Sequence, residues 1–237
     1  MPKFHGLTEY AAAIAPVINA AHINVHAAAH QAVTELADAA GLTPGYLSDL
    51  RFSLPLRPVT RAQLGTIYRY RDTAERESGI QEHLREGTLT DDGALRLTGE
   101  GLAFIHRLYA AHAAAADRVW AGTGLPRLAE LADRVLAEAE RVPGGALELV
   151  APPYEPEWAA PGLLLFNRLA VLRYHRADAH AAAWQAAGLS AAEIAGLEDG
   201  PVRAGIEADT NLRAGAAYAQ LSAAEREIFH EGLLKLI

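Results

Sequence analysis

Cysteine is absent from this 237-residue chain, which excludes disulfides, thiolate metal sites and cysteine nucleophiles. Any bound metal would need His, Asp or Glu ligands. Long apolar runs are also missing. No stretch approaches the roughly 20 uninterrupted apolar residues that a transmembrane helix requires. The start, MPKFHGLTEY, contains no apolar signal core. We therefore expect a cytoplasmic protein without a membrane partner.

Positive charge is in short supply, since 21 Lys and Arg residues stand against 29 Asp and Glu residues, a formal net charge of −8. This balance disfavours broad, charge-driven binding to nucleic acid or anionic membranes, so any DNA contact must be local. The chain also lacks a Gly-rich phosphate loop, a GxSxG elbow and an HExxH pattern. The sequence consequently predicts no enzymatic class and no specific cofactor.

Helical patterns dominate the first half, and we expect a mainly α-helical fold. One long helix, or two, is predicted from an N-cap at Thr8 to Gly41. Because Pro16 cannot donate to the helical ladder, a kink or break is expected just before it. Residues 42–58 carry turn residues at both ends and predict an irregular connection with one short helix.

The order of elements between residues 57 and 115 is typical of a winged helix-turn-helix unit. Helices are predicted from Thr60 to about Tyr70 and from Asp72 to about Glu86, with a sharp turn near Arg71. The segment TLTDDGALRLT then predicts a small β-hairpin wing, since Asp-Gly is a strong hairpin signal. A long helix follows from Thr98 to about Trp120.

The second half is separated by a Pro-rich segment. An amphipathic helix is predicted over 125–142 and completes a first domain, 1–142. Five of the twelve prolines fall in 143–161, which we interpret as a linker. A C-terminal helical domain, 162–237, is expected to begin with an apolar helix over 162–187. It ends in LSAAEREIFHEGLLKLI, which carries a capping box and an apolar stripe.

Several segments resemble MarR-type regulators. LTDDGALRLTGEG is similar to the wing and following helix of that family, and LSAAEREIFHEGLLKL to its closing helix. LRYHRADAHAAAWQAAGL (172–189) and IEADTNLRAGAAYAQL (206–221) are similar to stretches of actinobacterial MarR-like helix-turn-helix proteins. The resemblance implies a winged-helix fold. In that group a winged helix follows the His-rich helix, whereas here Ser190 and Ile206 are too close in sequence for a complete second unit.

Local basic residues are the candidates for contact with duplex DNA. The helix beginning near Asp72 would enter the major groove, and arginines in or just before it would hold phosphates. Residues 57–118 nevertheless contain nine arginines and nine acidic residues. An alternative is therefore a winged-helix scaffold reused for packing or protein contacts. The candidate arginines are Arg57, Arg61, Arg69, Arg71 and Arg76.

A stripe of histidines marks the N-terminal helix. His22, His26 and His30 repeat every four residues and lie within an arc of about 80° on one helical face. Such a stripe can ligate a metal, contact a planar cofactor or respond to pH. The alternative is a polar-aromatic stripe against solvent or another helix.

Polar residues are also crowded on the apolar helix of the second half, and a charge so near a core usually has a partner. Asp178 and His175 are about 60° apart on the helix, so the carboxylate is placed to orient the imidazole. A structural polar cluster, a ligand pocket walled by Trp184 and a catalytic cluster all remain open. The residues are Tyr174, His175, Arg176, Asp178, His180 and Trp184.

Two hypotheses follow. The first is a MarR-like regulator, acting as a homodimer, in which a small molecule bound by the helical body changes the spacing of DNA-reading units. The second is a protein that binds a small molecule, tetrapyrrole or metal on a winged-helix scaffold that no longer reads DNA.

Overall fold

A computed structural model describes residues 3–122 and 124–237, and this part of the chain is mainly helical, as predicted. It comprises helices and one two-stranded antiparallel sheet. The elements are, in chain order, α1 (Leu7–Ala40), α2 (Gly45–Asp49), α3 (Arg61–Ile67), α4 (Thr73–Arg85), β1 (Leu89–Asp91), β2 (Leu95–Leu97), α5 (Gly99–Val119), α6 (Leu125–Glu138), α7 (Ala146–Val150), α8 (Pro161–Ala186), α9 (Ala191–Ala195), α10 (Pro201–Gly215), a 3₁₀ turn (Ala216–Tyr218) and α11 (Ala223–Leu234).

The long helix α1 runs unbroken through Pro16, so the break predicted there is wrong. Pro16 and Ala12 both lie on the exposed side, where water can bond the carbonyl that the proline leaves without a donor. The predicted N-cap is also wrong, because Gly6 precedes the first turn and Thr8 lies inside it. The predicted C-terminal glycine is confirmed: Gly41 has φ 63° and closes the helix.

The predicted helix pair and hairpin of residues 57–115 are present. The side chain of Thr60 caps α3 in a box with Gln63, and Asp72 caps α4. Strands β1 and β2 pair antiparallel in the register Leu89↔Leu97, and their connection contains Gly93 at φ 103°. Only glycine adopts such a φ without strain, which explains why the Asp-Gly signal predicts the turn correctly.

The Pro-rich segment 143–161 is packed against the rest of the molecule. It contains α7, whose Ala146, Leu147 and Val150 are buried and which packs against α8. Helix α6 ends at Glu138, so the predicted end at Val142 is wrong and that valine is exposed. One contiguous hydrophobic core draws on residues from both sides of this segment.

Helices α1, α5 and α8 form the centre of the core, with α6, α10 and α11 packed around them. The capping box of Ser222 and Glu225 at the start of α11 is confirmed. Phe229, Leu233 and Leu236 of its predicted stripe are buried, whereas Ile228 and Leu234 are exposed. In the ranges 3–122 and 124–237, no helix is both long and apolar enough to span a bilayer.

Candidate ligand site

The arginines predicted to hold DNA phosphates have partners within the protein. Arg57 donates to the carbonyl oxygens of Ala151 and Pro152, at 3.0 and 3.3 Å, beyond the end of α7. Arg61 forms exposed ion pairs with Glu77 and Asp91. Arg61 therefore links α3, α4 and the hairpin to one another.

The other three arginines of that set surround the turn between α3 and α4. Arg69 forms a largely buried ion pair with Asp178 of α8. Arg71 pairs with Asp49 at 3.1 Å, and the guanidinium of Arg76 donates to the carbonyl oxygen of Arg71. These contacts brace the turn and attach it to the helical body.

Asp178 has a structural partner on each side. Its carboxylate accepts hydrogen bonds from the backbone N–H groups of Ala146 and Leu147, at 2.9 and 2.8 Å, and thereby caps α7. Arg69 bonds the same carboxylate. The sequence suggested that Asp178 orients His175, but the hydrogen bonds of its carboxylate go to Arg69 and to α7. His175 is buried, and its burial lowers the pKa of its imidazole.

A separate network connects the outer face of α8 to the α3–α4 turn and to α10. The indole N–H of Trp184 donates to the hydroxyl of Tyr70 at 3.2 Å, and that hydroxyl bonds Nδ1 of His180 at 2.9 Å. Arg176 pairs with Glu207 of α10 at 3.0 Å. The polar cluster predicted on α8 is thus divided between two structural networks, and only Tyr174 joins the cavity described below.

The histidine stripe of α1 is divided as well. His30 is exposed, whereas His22 and His26 point inward and meet His112 of α5, which the sequence does not single out. We call His22, His26 and His112 the histidine cluster. Nδ1 of His112 donates to the carbonyl oxygen of Leu108, 2.7 Å away. In the neutral form its Nε2 then accepts a hydrogen bond from Nδ1 of His26 at 3.2 Å.

A cavity of about 380 Å³ lies where the helical body meets the helix pair. Its walls come from α1, from α2 and the turn after it, from the α3–α4 turn, and from α8. We call it the basic cavity because its charged lining comprises three arginines and one aspartate. The lining residues are His22, Ile23, His26, Asp49, Arg51, Phe52, Tyr68, Arg71, Ala170, Arg173 and Tyr174.

Arg51 is the most unusual residue of this lining, because its side chain is almost completely buried, with 1% exposed. Its Nη1 donates to the carbonyl oxygen of Ser48 at 2.8 Å, and its guanidinium carbon lies 4.3 Å from the centre of the Phe166 ring. Among residues 3–122 and 124–237, its Nε and Nη2 find no hydrogen-bond partner. A single arginine in the apolar segment LRFSLPL is the signal from which the sequence could have indicated it.

His22, which also belongs to the cavity lining, carries a third unpartnered donor. Nη1 of Arg173 lies 3.0 Å from Nδ1 of His22, and because arginine only donates, this nitrogen is the acceptor. The proton of the neutral ring is therefore on Nε2, which is buried and has no hydrogen-bond partner. Within the described residues, two members of the cavity lining, Arg51 and His22, thus carry three buried donor nitrogens that lack an acceptor.

The histidine cluster is electrically neutral at physiological pH. Burial, with repulsion from Arg51 and Arg173, lowers the pKa of His26 to about 2. Burial and Arg51 lower the pKa of His112 to about 3, and the pKa of His22 falls for the same reasons. These imidazoles are weak bases, suited to hydrogen bonding rather than to proton transfer.

The remaining polar groups of the cavity also disfavour a metal site. Asp49 bonds Arg71 and accepts a hydrogen bond from the Tyr68 hydroxyl at 3.3 Å. Burial raises the pKa of Tyr174 to about 12, so its hydroxyl keeps its proton. Within residues 3–122 and 124–237, no group of three or more His, Asp or Glu side chains is arranged to hold a metal ion.

No protein-family model, no curated protein and no solved structure matches this chain.

Proposed function

We propose that this protein binds a small molecule in the basic cavity, on a scaffold whose residues 57–115 form a winged helix-turn-helix unit. The observation that carries the proposal is the set of three buried N–H groups without acceptors, on Arg51 and His22. A buried donor without a partner costs roughly 1–3 kcal/mol. A bound ligand that accepts these hydrogen bonds removes this cost.

The size and chemistry of the cavity agree with this function. Its volume of about 380 Å³ lies within the range of about 300–1,000 Å³ found for small-molecule sites. Phe52, Tyr68 and Tyr174 supply aromatic walls, and the buried donors supply a few fixed polar contacts. Because Tyr68 and Arg71 belong to the α3–α4 turn, an occupied cavity also touches the helix pair directly. This contact would let the protein report the presence of its ligand.

Thermal denaturation of the purified protein against a library of anionic, neutral and cationic small molecules tests the proposal. Binding raises the melting temperature in proportion to ln(1 + [L]/Kd). Ile23→Trp fills the mouth of the cavity from an isoleucine that is 49% exposed, and should abolish the response. Ile228→Trp is the matched control, because Ile228 is 47% exposed on α11, away from this cavity.

The expected result is a set of compounds that stabilise the wild-type protein and the Ile228→Trp variant equally but leave Ile23→Trp unchanged. A library without hits, or hits that stabilise Ile23→Trp as strongly as the wild type, contradicts binding in this cavity.

A second candidate function is transcriptional regulation through duplex DNA. The order of the helices and strands in residues 57–115 favours DNA binding, because α3 and α4 are followed by a hairpin and then by α5. Thr73, Ser78 and Gln81 are exposed polar residues of α4. The amide of Gln81 donates to Glu77 and the hydroxyl of Thr73 accepts from Arg76, so these two must also leave internal partners to contact bases. In this proposal a homodimer presents two such units to DNA, and ligand binding changes their spacing.

Gel-shift measurements against the protein's own upstream region, at two salt concentrations, test this candidate. Retardation that weakens with salt and is lost in Gln81→Ala supports it. The arginines that would hold phosphates must first leave their internal partners, so the expected affinity is modest. No retardation at low salt refutes DNA binding and leaves the ligand-binding proposal intact.

A further inference from the structure

We infer that the ligand of the basic cavity carries an oxyanion group, a carboxylate or a phosphate, which is bound side-on by Arg51 and completed by the Nε2–H of His22. The inference rests on the proposed function and identifies the chemical class of the ligand. Three observations support the inference: the unpartnered donor atoms of Arg51, the excess of positive charge in the cavity lining, and the neutral state of the histidine cluster.

The unpartnered atoms of Arg51 form one recognition edge. Nε and Nη2 lie side by side on the guanidinium, and their two parallel N–H bonds match two oxygens of a carboxylate or phosphate. The third donor position, Nη1, is already bonded to the carbonyl oxygen of Ser48. Phe166 packs against the guanidinium and, with that bond, holds its plane in place. An edge held in position in this way fits a planar pair of acceptor oxygens, but its two nitrogens have almost no accessible surface, so a ligand reaches them only when the side chains that cover them move.

The charge of the cavity points to the same ligand. A guanidinium removed from water needs a negative partner or an equivalent set of acceptors, because an uncompensated buried charge is strongly unfavourable. The one carboxylate of the lining, Asp49, is hydrogen-bonded to Arg71 and Tyr68, and it offsets the charge of Arg51 only through space. Arg173 adds a further positive charge close to His22. A neutral ligand would leave this excess uncompensated, and a cationic ligand would add to it.

The histidine cluster contributes hydrogen bonds and not charge. Its tautomers are fixed by the carbonyl oxygen of Leu108 at one end and by Arg173 at the other. The positive charge therefore comes from arginines, which stay protonated at any physiological pH. The charged and titratable groups that face the cluster or the cavity are His22 and His26 on α1, Asp49 and Arg51 at and after the end of α2, Tyr68 and Arg71 around the α3–α4 turn, His112 on α5, and Arg173 and Tyr174 on α8.

Thermal denaturation with simple oxyanions tests the inference without knowledge of the natural ligand. The probes are sodium formate and sodium acetate for carboxylates, and sodium sulfate and sodium phosphate for tetrahedral anions, each compared with sodium chloride at equal ionic strength. At ten times its Kd, a bound probe should raise the melting temperature by roughly 3–6 °C. If formate and acetate raise the melting temperature more, the site prefers carboxylates; if sulfate and phosphate raise it more, the site prefers tetrahedral anions.

Arg51→Met should lose the anion-dependent shift while the ligand-free protein melts no earlier than the wild type, because the substitution removes an unpaired buried charge. Arg51→Lys keeps the positive charge but loses the paired N–H donors of the guanidinium, and it should raise Kd for the anion at least tenfold. This variant replaces Arg51→Met in the test if Arg51→Met does not fold. Arg107→Met is the matched control. It removes an exposed arginine from α5 and should leave the shift unchanged.

Titration with sulfate at pH 6 and pH 8 tests whether arginine or protonated histidine supplies the positive charge that binds the anion. Sulfate is fully ionised at both pH values, so its own charge does not change. We expect the two Kd values to agree within about twofold. A Kd tenfold lower at pH 6 would show that a protonated histidine supplies the charge, which overturns the assignment to Arg51.

Two further outcomes also overturn the inference. Equal stabilisation of wild type and Arg51→Met by all four anions would mark a general salt effect. Stabilisation of the wild type only by neutral or cationic members of the library would refute the oxyanion while leaving the proposed function standing. If no compound of any charge binds, the proposed function fails together with the inference.

Discussion

Removing the carboxylate of Asp178 should be among the most destabilising single changes in this protein. The side chain is 7% exposed, accepts two backbone hydrogen bonds at the start of α7, and pairs with Arg69. Breaking a buried pair by removing one partner typically costs about 3–5 kcal/mol, and loss of a helix cap about 1 kcal/mol. Arg69 is 14% exposed and also donates to the carbonyl oxygen of Thr66, which reduces the first cost. We therefore expect Asp178→Ala to lower the free energy of unfolding by about 3–5 kcal/mol in total.

Urea denaturation at pH 7, followed by circular dichroism, measures this loss. Asp209→Ala is the matched control, because Asp209 forms an exposed ion pair with Arg213 on α10 and should cost about 0.5 kcal/mol or less. The double variant Arg69→Met/Asp178→Ala should lose less than the sum of the two single variants, since the two side chains share one interaction. A loss below about 1 kcal/mol for Asp178→Ala would refute the structural role and return Asp178 to the candidate ligand residues.

Three further predictions concern the core. Histidines of the unfolded chain take up protons as the pH falls below about 7, whereas the buried histidine cluster does not. The free energy of unfolding should therefore fall by about 4 kcal/mol between pH 7 and 5.5, and His112→Asn should lessen the fall. Gly101→Ala should cost about 2–3 kcal/mol, because its Cβ would lie 2.3 Å from a backbone oxygen, whereas Gly99→Ala meets nothing within 4 Å and should be neutral. Leu147→Ala should cost about 2–4 kcal/mol if α7 belongs to the core, against almost nothing for the exposed Val142→Ala. Urea denaturation checks all three, and equal losses in either pair of variants, or a stability independent of pH, would contradict the corresponding prediction.

The helices and the hairpin could be predicted because their end signals act over a few residues. Thr60, Asp72, Thr98 and Ser222 cap the helices that the sequence assigns to them, and each bonds a backbone N–H two or three residues further along. Such bonds depend on local spacing and are insensitive to the rest of the fold. The break predicted at Pro16 is wrong because its outcome depends on which side of α1 faces solvent, and long-range packing sets that side. The N-cap predicted at Thr8 is wrong although its signal is local.

The candidate site could be predicted only in part, because its partners come from distant segments. The periodicity of α1 identifies His22 and His26, but their contact with His112 joins residues that are 86 positions apart in sequence. Arg51 stands alone in an apolar segment, and its burial depends on where Phe166 of α8 packs. The predicted DNA-contacting arginines have partners of two kinds. Those of Arg57, Arg69 and Arg71 lie outside residues 57–118 and could not be read from the local charge balance. Those of Arg61 and Arg76 lie inside that segment.

Two ion pairs attach the α3–α4 turn to the rest of the protein, and the basic cavity lies beside only one of them. Arg69 and Asp178 are 14% and 7% exposed, so this pair is a strong attachment of the α3–α4 turn to the body. Arg71 and Asp49 are 50% and 40% exposed, so their pair contributes at most about 1 kcal/mol. The ligand would meet Arg71 and Asp49, which line the cavity, and not Arg69. A ligand that binds Arg71 would therefore replace the weaker attachment at little cost, while the stronger one keeps the turn docked on α8.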